Sequence, residues 1–232
     1  MRVSLYDTIK WIGTPFRYHV IGLENIRDGG PAIYACNHLG SAGPLQMVLS
    51  LPVRFYPWIM GEMFDYERGP QYLYDDFIHK SWHVSGKFGM GVSTAISHLA
   101  ASLFNRLKFV SIDRNRGRNK DAFRRSLVLL AAGENLLIFP EEPKGILNPE
   151  TQMRPFLCGY VGLCRMYQRQ WGKALPVYPV AVYPGTRSLT IGKAIFYENL
   201  VNRRRDTYRM GMKVEEDVIR LYLEMKNTKG SV

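Results

Sequence analysis

The sequence predicts an α/β fold, one sheet covered on both faces by helices. Three observations carry that expectation. Short β-rich runs alternate along the chain with segments whose apolar residues recur at helical spacing. Over 232 residues, 46% hydrophobic and 12% aromatic content supplies one well-buried core and leaves little for a second. No internal repeat, low-complexity stretch or Pro/Gly-rich linker marks a boundary, so residues 1–232 are read as a single domain.

The first element is an N-terminal amphipathic segment, 1–17. Leu5, Ile9 and Ile12 fall at helical spacing, Phe16 lies just beyond, and Lys10, Trp11 and Arg17 sit at the flanks. That pattern suits a helix lying on a lipid surface, and equally a terminal helix packed on its own core. Strands are predicted at 19–23, 31–36 (PAIYAC), 52–58, 108–112 (KFVSI), 135–139 (NLLIF), 177–183 (VYPVAVY) and 188–196. Helices are predicted at 44–50, 92–106, 119–132, 155–170 and 206–226. In the last, Val214, Val218, Leu221 and Met225 share one face while Glu215, Glu216 and Arg220 point elsewhere. Segment 61–91, with its Gly, Asp, Tyr and Trp content, is read as a helix and a loop over the sheet edge, in the position of a substrate lid.

Charge narrows the partner. Thirty-one basic against 20 acidic residues give a formal charge of +11, which favours nucleic acid, a membrane surface or a phosphorylated small molecule. Cys36, Cys158 and Cys164 form no Cys-x-x-Cys pair and are too few for a disulfide framework, so a reducing compartment is expected. No apolar run reaches the roughly 18 residues that span a bilayer. Asp7, Lys10 and Arg17 interrupt any signal-peptide core. The expectation is a cytoplasmic protein, soluble or peripheral on the membrane.

Candidate chemistry sits where strands end. The run Ala32 to Cys36 should deliver Asn37-His38 to the carboxyl edge of the sheet, and Pro44 suits the first turn of the following helix. The positive end of that helix favours a neutral imidazole, suited to taking a hydroxyl proton; alone, such a histidine reads better as one that caps or hydrogen-bonds a turn. A second strand, Leu136-Leu137-Ile138, ends in Phe139-Pro140-Glu141, followed by Glu142 and Lys144. Ser111-Ile112-Asp113-Arg114 is a third strand end, presenting a guanidinium that could fork onto a phosphate. Leu175-Pro176-Val177-Tyr178-Pro179-Val180 opens a fourth strand.

Other groupings are weaker. His79 and His83 at i, i+4, with Asp75 or Asp76, could hold a metal but read better as a polar helix surface, and no metal is expected. Cys36 and His38 would share a strand face, which suggests a thiolate nucleophile, although a cysteine closing an apolar strand is more often core. Gly86, Gly89 and Gly91 follow no clear strand and precede no Gly-Lys-Ser/Thr. Arg114-Asn115-Arg116-Gly117-Arg118 and Arg203-Arg204-Arg205 could meet nucleic acid, anionic lipid or coenzyme A phosphates, or be solvated surface.

In order and spacing, these blocks resemble the phospholipid/glycerol acyltransferases, typified by lysophosphatidate acyltransferase. Members read Asn-His-x4-Asp, a strand ending in Asp-Arg or a similar pair, Phe-Pro-Glu-Gly-Thr-Arg, then Pro-Val-x-Pro-Val, and the resemblance covers about residues 18–198. It implies a mixed sheet flanked by helices and transfer of a fatty acyl group from acyl-CoA or acyl-ACP, as co-substrate, to a hydroxyl, with no bound cofactor. By position, His38 becomes the general base, Arg114 and Lys144 hold the acceptor's phosphate, and Glu141 fixes the acceptor or the Lys144 loop. The implied partners are an anionic membrane surface, the acyl donor and a phosphorylated lipid acceptor, without nucleic acid. Two positions depart. Lys144 replaces arginine, keeping charge and losing the fork. Gly43 replaces the aspartate that orients the imidazole. Neutralising the analogous carboxylate in the serine-protease triad costs about 10⁴ in turnover. Three explanations stand: Glu141, Glu142 or Asp113 substitutes for the acid; the chain is a catalytically impaired lipid or acyl-chain binder; or Gly43 is an isolated change that aspartate would reverse.

Overall fold

The computed structural model describes residues 10, 11, 13–26, 30–40, 42–60, 70, 71, 74, 86, 89–91, 93, 94, 109–112 and 119–228. Seven strands form one sheet: β1 (His19–Ile21), β2 (Ile33–Cys36), β3 (Phe55–Met60), β4 (Val110–Ile112), β5 (Asn135–Ile138), β6 (Val177–Tyr183) and β7 (Ser188–Ile191). Their spatial order is β1-β7-β6-β2-β5-β3-β4. The run from β6 to β4 is parallel. β7 returns antiparallel to β6, and β1 pairs parallel to β7. The sheet is therefore mixed, and each of the seven predicted strands corresponds to an observed one.

Four helices are described: α1 (Ala42–Ser50), α2 (Lys120–Ala131), α3 (Val161–Trp171) and α4 (Arg203–Thr228). The central strands read as continuous apolar runs because both of their faces are covered. In β2, Ile33 and Ala35 join the cluster beneath α2, α3 and α4, while Tyr34 and Cys36 join the one beneath α1. That is the period of two expected of a strand. Tyr34 centres the second cluster, stacked on Tyr178 at 5.2 Å and edge-on to Phe55 at 4.9 Å.

Several boundaries differ from the sequence reading, three of them for reasons the structure shows. The helix expected from 155 starts at Val161, because Phe156 pairs antiparallel with Glu141 and the Leu157 N–H donates to the Pro140 carbonyl at 2.8 Å. The strand expected over 188–196 ends at Ile191. Gly192 donates to the Pro179 carbonyl, and Ile195 rejoins the sheet as a lone bridge to Val177. α4 starts three residues early, where the Asn202 side chain accepts from the Arg205 N–H at 3.0 Å and buried Asp206 accepts from the Val201 N–H at 3.2 Å. The expected helix at 92–106, the lid at 61–91 and residues 1–9 lie wholly or mostly outside the described residues.

α4 buries Val214, Val218, Leu221 and Met225, as its periodicity predicts. It approaches the segment before α3 so closely that a Cβ on Gly211 would lie 2.3 Å from Cys158 Sγ and 2.7 Å from its Cβ. Gly211→Ala gains about 1 kcal/mol of helix propensity, but overpacking against that side chain costs about 1–3 kcal/mol. The expected outcome is a lower urea midpoint, and an unchanged or raised midpoint contradicts the packing argument.

Candidate active site

β6, β2 and β5 are parallel neighbours, so their C-terminal ends open onto one edge, where α/β sheets bind ligands. At the end of β2, Asn37 is fully buried and spends its amide on Val182. Its Nδ2 donates to the Val182 carbonyl at 3.0 Å, and its Oδ1 accepts the Val182 N–H at 2.8 Å. A side chain thus continues the β2–β6 ladder for one more step and fixes the residue that follows.

That residue is His38, half-buried, its ring edge-on to Phe139 with centroids 5.1 Å apart. Its backbone N–H donates to Glu141 Oε1 at 2.7 Å. Glu141 Oε2 accepts from the Arg154 N–H at 3.0 Å. One carboxylate therefore clasps three stretches of chain: the β2 exit, the β5 exit and the extended segment ahead of α3. Burial pushes the Glu141 carboxyl pKa up, and the two N–H groups and the Arg154 charge oppose it only in part.

After His38 the chain turns sharply into α1. Leu39 and Gly40 both take left-handed φ, 43° and 63°, and for leucine such a conformation costs about 1–3 kcal/mol. The Gly43 N–H donates to the His38 carbonyl at 3.0 Å. A Cβ at position 43 would lie 2.4 Å from the Asn37 carbonyl oxygen and 2.6 Å from that of His38. Both obstacles are backbone, so no side chain fits there unless the turn moves.

These positions bear on the sequence reading residue by residue. His38 and Glu141 come together. Glu141, expected to fix the acceptor or the Lys144 loop, has its oxygens on backbone donors. Glu142 and Lys144 are exposed in the turn that follows, where the Gly145 N–H donates to the Glu142 carbonyl. Arg114 and Asp113, beyond β4, lie outside the described residues, as do His79, His83, Asp75 and Asp76. No metal-binding cluster occurs among the described residues. Cys36 is wholly buried, and desolvation, with the Glu141 charge adding, pushes its thiol pKa well up. Its thiol faces the Asn37 carbonyl at 3.3 Å, so the thiolate reading gives way to the core reading. Sequence reasoning missed the Asn37–Val182 pair and the Arg154 backbone contact; neither carries a local signal.

Beside the first turns of α1 lies an apolar hollow of about 670 Å³, lined by Phe16, Tyr18, Leu45, Leu49, Pro184 and Arg187. The Arg187 guanidinium rests over the Tyr18 ring at 5.9 Å. Among the described residues no helix is long and apolar enough to cross a membrane.

No family model and no curated protein sequence matches the chain. Among solved structures it is similar to the 1-acyl-sn-glycerophosphate (LPA) acyltransferase PlsC from Thermotoga maritima. The two share 16% sequence identity at a TM-score of 0.55, over 96% of this chain and 80% of that one. At that identity the likeness carries the fold. This chain has the mixed α/β architecture of that acyltransferase.

Two outcomes follow. Gly43→Asp is expected to lose about 1–3 kcal/mol of stability through the displaced turn; native-like melting would overturn the steric argument. Glu141 has a folded pKa raised above its ordinary 4.5. Its stabilisation is therefore fully present below the unfolded pKa and is lost as pH rises through the folded one. Urea midpoints of the wild type should accordingly fall relative to Glu141→Gln as pH rises above the ordinary carboxyl range. Parallel profiles would place the titration elsewhere.

Proposed function

We propose that this protein is an O-acyltransferase, moving a fatty acyl group from acyl-CoA or acyl-ACP to the hydroxyl of a lysophospholipid or glycerol-phosphate-like acceptor. One observation carries the reading: His38 is fixed at the carboxyl edge by a buried carboxylate clasp, in a fold shared with an LPA acyltransferase. In this reading an imidazole nitrogen of His38 takes the acceptor's hydroxyl proton as the oxygen attacks the thioester carbonyl. The tetrahedral intermediate expels the thiolate, which recovers the proton from the imidazolium, leaving an ester and a free thiol. Lys144 and Arg114 hold the acceptor's phosphate, Lys144 as a point charge without a fork. The hollow beside α1 offers apolar walls to the acyl chain. With its charge of +11, the protein works as a peripheral protein on the cytoplasmic, anionic face of a membrane rather than on nucleic acid.

Position 43 favours a second reading. Since no carboxylate fits there, the imidazolium forms without the usual acid, and the protein could keep the fold as a lipid or acyl-chain binder. The deciding experiment follows thiol release from acyl-CoA with a panel of lysolipid and polyol acceptors. His38→Ala is expected to lower the rate about 10²–10⁴-fold, and Lys144→Ala to raise KM for phosphorylated acceptors above all. Identical traces for wild type and His38→Ala would favour the binder.

A further inference from the structure

We infer that the loop after Glu141 is a lipid-surface wedge, in which Ile146 and Leu147 enter the outer part of a bilayer beside the His38 edge. Ile146 is 89% exposed and Leu147 41%. Singly, exposed apolar residues are ordinary. These two are adjacent, as are exposed Leu200 and Val201 at the opposite edge of the sheet, so what singles them out is a loop that is built rather than loose and its place beside His38. Gly145 packs against Pro155, where a Cβ would come within 2.9 Å of the ring. The Asn148 N–H donates to the Met153 carbonyl, and its side-chain oxygen accepts from Glu150 at 2.9 Å and Thr151 at 3.2 Å. Thr151 and Met153 are buried anchors, and the Lys226 amine on α4 donates to the Glu150 carbonyl at 2.8 Å. A loop with apolar side chains to spare has buried two residues on one limb and left its tip in water.

Location chooses the occupant. Ile146 follows Glu141 by five residues, a reach of at most about 17 Å, and Glu141 holds the His38 backbone. On the other side of His38, the first turn of α1 presents Leu45, 50% exposed, beside Phe16, 63% exposed, whose carbonyl accepts from Gln46 at 3.1 Å. Two apolar points thus flank the histidine along one sheet edge, with exposed Arg17 and Lys144 near them. A bilayer with anionic headgroups meets that arrangement: apolar tips enter the acyl boundary and cations remain at the phosphates. The inference deepens the acyltransferase reading by placing its acceptor in the membrane, and it can fail separately.

The test attaches the environment-sensitive fluorophore NBD to Ile146→Cys in a Cys158→Ser background, with Leu200→Cys as a second site. Leu200 is also exposed, at 63%, but follows the amino edge of the sheet, where Ile195 pairs with the first residue of β6, and adjoins Arg203–Arg205. With vesicles of phosphatidylcholine and phosphatidylglycerol, the label at 146 is expected to shift to the blue and to be quenched by brominated lipid, while the label at 200 stays in water. Unlabelled Ile146→Asp/Leu147→Asp is expected to bind such vesicles at least about tenfold more weakly, given the apolar area withheld. A label at 146 that stays in water on vesicle-bound protein overturns the wedge. A shift at 200 instead moves docking to the arginine corner, and a shift at 146 without vesicles, with sedimentation as a dimer, assigns the loop to a second copy. Neither readout needs turnover: an inactive protein with an inserted loop keeps the wedge and loses the acyltransferase reading, and an active protein with a dry loop does the reverse.

Discussion

The Glu141 carboxylate is the contact on which the edge depends. Its two oxygens join the His38 N–H, 103 residues earlier in the chain, to the Arg154 N–H, 13 residues later. Without it, two backbone donors would be left unsatisfied near the core, a penalty of about 1–3 kcal/mol each. Desolvation works against the clasp, which is why the carboxyl pKa rises even with three favourable partners. The carboxylate is costly to hold where it is, and what it fixes is the placement of His38 relative to the β5 exit. Preorganisation of that kind precedes substrate and requires no ligand to form.

The same turn leaves no room for a side chain at position 43. From His38 to Ala42 the chain must leave a strand and enter a helix within a few residues. It does so through two left-handed residues and by laying Gly43 on the carbonyls of Asn37 and His38. Leu39 tolerates its conformation because its side chain packs against the core cluster beneath α2, α3 and α4. The close approach at Gly43 and the strain at Leu39 are two sides of one compact turn. An aspartate at position 43 would need a wider one.

Much of the fold was legible in the sequence, because parallel central strands are apolar throughout and announce themselves without partners. β2 and β6 are the clearest cases. The α4 periodicity likewise gave its buried face. Legibility failed where a distant partner overrides a local pattern. The apolar spacing of α3 continues upstream into Phe156 and Leu157, yet Pro155 and the bridge to Glu141 hold that stretch extended. Gly192 was hidden inside a β-rich run and ends β7. Of the candidate site, His38 could be placed by its strand, whereas the duty of Glu141 could not, since nothing near it in sequence shows where its oxygens go.

The clasp also bears on how the His38 imidazole would act in the proposed reaction. The Glu141 carboxyl is held at the histidine's backbone N–H. It orients the residue through the main chain, and the Phe139 ring limits the imidazole from the side. Of the two things a base requires, orientation and charge stabilisation, the clasp serves orientation. The main chain and Phe139 supply the first. In the reaction proposed above, the second would come from the bound substrates. On that reading substrate charge would enter the catalytic balance directly, and the rate is expected to depend on the acceptor phosphate.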